Sequence, residues 1–192
     1  MGQPNDLPHP HVAEKVDELK MHEDAVRVAL PDAIDTFIRY IGNGVCGINA
    51  LLIAAIIGNV GLRYGFANGQ IWLEELQWHF YAIGVMMGLS YAQVNDSHIR
   101  VDILHARFSD KTKRIIEIVG VILLVLPFIW VVFYHSLDFV SDAWRTNERS
   151  DAPLGLPFRW AIKAVIPLSF GLLGLAILSR LYRDIYILVK GR

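Results

Sequence analysis

The sequence predicts an all-α integral membrane protein of four transmembrane helices with both termini cytoplasmic, preceded by an amphipathic helix. Three observations carry that prediction. Of the 192 residues 54% are hydrophobic and the mean hydropathy is +0.37, too apolar for an ordinary soluble domain. The charges fall outside four solid apolar blocks, and the Lys and Arg residues divide unevenly between the two sides those blocks would define.

Residues 1–33 form a polar segment. Gln3 to Pro10 has the composition of an irregular start, and Val12, Val16, Leu19, Val26 and Leu30 then recur at near-helical spacing, predicting an amphipathic helix that ends at Pro31. Eight acids against three bases in residues 1–36 weaken attraction to anionic lipid, so a solvated or protein-docked helix is expected. With no apolar core of a signal peptide and no small-residue cleavage site, the first span is expected to be a retained anchor.

The membrane domain is expected over 34–186, with a cytoplasmic tail at 187–192. Hydrocarbon about 30 Å thick needs roughly 20 apolar residues per helix. The chain is uncharged for 23 residues over 40–62, for 20 over 76–95 and for 20 over 118–137. The fourth uncharged run, 164–179, has only 16, and reaches membrane length as 160–182 if Lys163 and Arg180 snorkel outward along their alkyl stems. These blocks lack the ten-residue alternation of a membrane β-strand. With both ends inside, 13 Lys and Arg lie on the inner side and 5 on the outer. Trp72, Trp78, Trp144, Phe158 and Trp160 then gather near the outer interface, which suits amphipathic rings.

Several functions are excluded or weakened. A net charge of −1 with scattered basic residues gives no field for nucleic acid. Cys46 is the only cysteine and can form no internal disulfide. No nucleophile elbow, P-loop, HExxH or CxxC pattern occurs, so no enzyme is predicted. Glu74 and Glu75 could form a catalytic pair, but carboxylates are also favoured by the dipole in the first turn of a helix, which is the preferred reading.

In the first span Gly42, Cys46, Ala50, Ala54 and Gly58 recur every four residues, laying a ridge of small side chains on one face; Gly84, Gly88 and Ala92 repeat the device in the second. Such ridges admit close helix contact, within the chain or with another subunit. The only ionisable residues inside the spans, His79 and His135, lie near the outer boundary, so no mid-membrane ion site is predicted and the chain is not expected to move substrate alone. Two imidazoles at similar depth also leave open a haem-bearing anchor of a redox enzyme.

In "SHIRVDIL", His98, Arg100 and Asp102 alternate with apolar residues along the inner interface. They either mark topology or pin helices, or the chain and a partner, through charge-assisted hydrogen bonds. Ser109 reads as the cap of a following helix. The loop from Asp138 to Lys163 offers Arg145, Glu148, Arg149 and Asp151 as an outer docking face.

Taken in order, Glu75-Leu76 at the head of the second span, Gly88, "HIRVDIL", "RFSDKTKR", "LPFRW" and "IPLSFG" resemble the small membrane subunit (DctQ-like) of tripartite ATP-independent periplasmic (TRAP) transporters, over about Ile34 to Arg183. The acidic N-terminal segment is longer than that pattern requires, and "SYAQVND" is less basic. The resemblance implies a bacterial inner-membrane scaffold without a cofactor, in a sodium-coupled importer of organic acids. Its partners would be a large elevator-type membrane subunit (DctM-like), a periplasmic substrate-binding protein (DctP-like) and the surrounding lipid. A stand-alone structural membrane protein is the remaining alternative.

Overall fold

A computed structural model of the chain describes residues 29–95 and 110–190. The expected amphipathic helix before Ala29, the His98, Arg100 and Asp102 segment and the end of the tail lie outside the described residues. Among the described residues the fold is entirely helical: α1 (Ala29–Gly65), α2 (Ile71–Val94), α3 (Asp110–Gly120), a π-helical turn (Val121–Val125), α4 (Leu126–Arg145), α5 (Arg159–Lys163) and α6 (Val165–Lys190).

Prolines explain the local irregularities. Pro31 sits in the first turn of α1, where a missing N–H is no loss, so it opens this helix. Pro127 has no N–H for the carbonyl of Leu123 and its ring presses on that carbonyl; the preceding turn widens, and the Leu126 amide reaches back to Val121. Pro167 likewise cannot serve the carbonyl of Lys163, and the helix breaks at Ala164 between α5 and α6.

Three helical stretches, Pro31–Gly65, Ile115–Arg145 and Arg159–Val189, are long and apolar enough to cross a membrane. The second expected span lies on α2, whose 24 residues suffice in length but include Glu74, Glu75, Gln77, His79 and Gln93. At 37 residues α1 is about 55 Å long, well beyond the hydrocarbon thickness.

α6 is the hub, packing on α2, α4 and α1, while α1 packs chiefly along α2. The α1–α2 contact is antiparallel and reads off three places: Gly42 against the Tyr91 ring, Asn49 against Gly84, and Gln77 Nε2 donating to the Ala55 carbonyl at 3.2 Å. On α6, Gly171 and Gly174 take Phe133 and Ile129 of α4. The buried set is small-sided: besides Ile38, Val45, Ile129, Ala143, Val165, Ala176 and Ile177 it holds Ser90, Ser136, Ser169 and Ser179. The first three serines return their hydroxyls to the carbonyls of Met87, Phe133 and Ile166, so they pack as small residues without a stranded polar atom.

Gly42 and Gly58 lie on one predicted ridge but meet different surroundings. A Cβ at Gly42 would stand 2.7 Å from Tyr91 Cγ, whereas nothing lies within 4 Å of one at Gly58. Gly42→Ala is expected to destabilise the purified protein by about 1–3 kcal/mol through overpacking. Gly58→Ala should leave the melting temperature unchanged or raise it, since alanine favours helix by up to about 1 kcal/mol; melting of both variants in the same detergent checks the contrast.

Candidate docking surfaces and end locks

Two polar clusters close the bundle at its ends. At the first, the loop between α4 and α5 folds back over the start of α2. Glu75 accepts hydrogen bonds from the Ser150 hydroxyl and from the Leu156 amide, the latter at 2.6 Å. Ser150 Oγ accepts from the Ala152 amide at 3.2 Å, and the Ser150 amide donates to the Leu156 carbonyl at 3.3 Å, so one carboxylate gathers both limbs of the loop. Gly155 fits closely there, since a Cβ would stand 2.5 Å from Ser150 Cβ and 2.9 Å from Glu75 Oε1. The Ser150 hydroxyl, then the Leu156 amide, hold the Glu75 carboxyl below its usual range.

Beside it, Glu148 pairs with Lys163 and, at 3.8 Å, with Arg159, which also lies 3.8 Å from Asp151. The Lys163 ammonium sits 3.8 Å above the Phe139 ring, and Trp144 meets Trp160 edge-on at 4.5 Å between centroids.

At the opposite end, Arg183 pairs with Asp35 at 2.5 Å and Asp32 at 3.6 Å, and the buried Ser179 hydroxyl donates to Asp35 Oδ1 at 2.9 Å. Arg180 reaches Glu117 of α3 at 2.6 Å and Asp184 at 3.8 Å. The start of α1, the end of α3 and the end of α6 are thereby tied together. Lys163 and Arg180, the two residues expected to snorkel, each have a carboxylate within reach on a neighbouring segment, and neither side chain exceeds 25% exposure.

The predicted interface residues separate into distinct settings. Gly42 is buried against α2, and Gly84 faces Asn49, so both serve contact within the chain. Cys46, Ala50 and Ala54 are exposed, and Gly58 and Gly88 have no neighbour in the space a Cβ would fill. Glu75, Glu148 and Asp151 belong to the loop lock, whereas Arg145 and Arg149 are exposed, Arg145 lying 3.8 Å from Asp142 on its own helix.

His79 donates from Nδ1 to the Glu75 carbonyl at 2.6 Å, and His135 is exposed on α4 with its ring against Tyr134. Among the described residues no group of three or more His, Cys, Asp or Glu side chains could hold a metal ion.

Sequence reasoning passed over Ser150, Ser179, Asp32, Asp35 and Arg183. The repeated three-residue spacing of Asp32 and Asp35 on α1, and of Arg180 and Arg183 on α6, was the available signal for the second lock.

The fold and its two locks define a helical membrane protein with an apolar outer surface. Residues 52–186, more than half the chain, match the family described as tripartite ATP-independent periplasmic transporters, DctQ component. The chain belongs to that family, the small subunit of the TRAP transporters. No curated protein matches it.

Removing Glu148 would leave Lys163 and Arg159 without their shared carboxylate. Glu148→Ala is expected to lower thermal stability, and adding Lys163→Met should recover part of the loss, with a coupling of about 0.5–3 kcal/mol in a double-mutant cycle. Additive single effects in detergent melts would reject the pairing.

Proposed function

We propose that the chain is the scaffold subunit of a sodium-coupled importer of organic acids in the bacterial inner membrane, spanning it four times with both termini in the cytoplasm. A large DctM-like subunit docks laterally and carries the substrate, and a DctP-like soluble protein delivers it from the periplasm. In this topology the loop over Glu75 is outside and the Asp35–Arg183 lock is inside. The distribution of Lys and Arg, 13 inside against 5 outside, supports the orientation.

The observation that carries the scaffold reading is the open row Cys46, Ala50, Ala54 and Gly58 on α1. Only 6% of the most apolar stretch of this helix is buried within the chain, the same as for Ile115–Arg145 and against 22% for the stretch on α6, so it is the row of small residues that distinguishes α1. In lipid, a row of small side chains lets a second helix approach closely enough for van der Waals contact, which large side chains forbid. Sodium coupling and the substrate class rest on family resemblance.

Ala50→Leu, Ala54→Leu and Gly58→Leu together should cut recovery of the large subunit in mild-detergent pull-downs at least several-fold while leaving the subunit's own melting temperature unchanged. Undiminished recovery would move the docking face elsewhere, and a wild-type chain that recovers no large subunit would favour a stand-alone structural protein. Reversing the charge of the exposed Arg145 and Arg149 should lower uptake without lowering recovery of the complex, measured as substrate accumulation in cells.

A further inference from the structure

We infer that Glu75 is a positioning residue that holds the 150–156 loop in one shape, so that Leu154 at its tip stands ready as a contact for the soluble protein. The inference rests on the proposed topology, which puts this loop outside.

Leu154 is 86% exposed and has φ 65°. A leucine in the left-handed region is disfavoured by the clash of its Cβ with the backbone, and an exposed leucine recovers little of that cost by burial. Such a conformation persists where the surroundings over-determine it. Here they do so through one carboxylate. Glu75 takes the Ser150 hydroxyl and the Leu156 amide, the Gly155 amide closes the turn onto the Ala152 carbonyl at 3.0 Å, and Pro153 restricts the residue before Leu154.

Glu75 in turn stands on α2, which is packed between α1 and α6, so the loop is referred to the rigid bundle and not only to its own flanking residues. The flanking limb is fixed separately, by the Arg159 amide on the Glu148 carbonyl at 3.1 Å and by the Lys163–Glu148 pair. In sequence the tip is flanked by exposed Asp151, Pro153, Pro157 and Phe158, so Leu154 belongs to a short, largely apolar stretch of loop that the structure leaves uncovered, the kind of surface that marks a protein contact. Preforming that shape removes the ordering cost a free loop would meet on docking.

The experiment uses the intact three-component system. Uptake into proteoliposomes is titrated with the soluble protein for wild type, Glu75→Ala, Glu75→Gln and Leu154→Ser, and hydrogen exchange over 150–156 is followed in each membrane complex. Glu75→Ala and Leu154→Ser should each raise the half-saturating concentration of the soluble protein roughly fivefold, the loss of one anchoring contact, with maximal uptake retained. Exchange at Leu156 should quicken in Glu75→Ala but not in Leu154→Ser, and Glu75→Gln, which keeps an acceptor for the amide, should fall between wild type and Glu75→Ala. Unchanged half-saturation in either variant, or unchanged exchange in Glu75→Ala, overturns the inference. A wild-type preparation that assembles no complex or transports nothing fails the proposed function instead, and exchange in the isolated subunit then still decides whether Glu75 holds the loop.

Discussion

Apolar helix faces in hydrocarbon have no preference for one another over lipid, and the rest of this structure follows from that constraint. Contact between the spans must come from close approach, so the α1–α2 and α4–α6 seams run over Gly42, Gly84, Gly171 and Gly174, and the buried Ser90, Ser136 and Ser169 satisfy themselves on their own helices. Toward the ends, where water and headgroups lower the penalty on charge, direct ion pairs take over. The two kinds of contact occupy different depths because each works where the other is weak.

This division leaves the chain asymmetric. α6 touches three other long helices, while α1 is held along one side and at its start, and its remaining surface is apolar and open. A helix of 37 residues anchored this way is a wall more than a core element. In a soluble protein so much uncovered Ile, Leu and Phe would drive aggregation, but here it faces lipid or a neighbouring subunit at little cost.

The helices were legible because an uncharged run of membrane length has few other physical explanations; their ends were not. Asp32, Asp35 and Arg39 bound the first run yet lie inside α1, because a helix need not stop where hydrocarbon does and charges beyond it can find partners. The row of small residues on α1 was legible, but at 3.6 residues per turn a four-residue spacing drifts about 40° per step, so Gly42 and Gly58 point to nearly opposite sides of the helix and meet opposite surroundings. The helix dipole gave Glu75 a local reason for its place in the first turns of α2; its partners are 75 and 81 residues away, a separation that no local pattern encodes. Ser179 and Arg183 met Asp35 across a still longer gap, though matched acid and arginine spacings on two helices hinted at it.

Register is where the two kinds of contact need each other. Steric fit between small residues nearly repeats with every turn: Asn49, seated at Gly84, has Gly88 one turn further along, and the Gln77 amide can reach any free carbonyl. Tyr91 is the exception, because a slide by one turn would set it against Cys46, which carries a Cβ where Gly42 has none. A four-residue slide of about 6 Å would also break a lock beyond hydrogen-bond reach, Arg183–Asp35 if α1 moved and Glu75–Leu156 if α2 moved. One glycine and two polar locks therefore select a single alignment among several that lipid and van der Waals contact would tolerate.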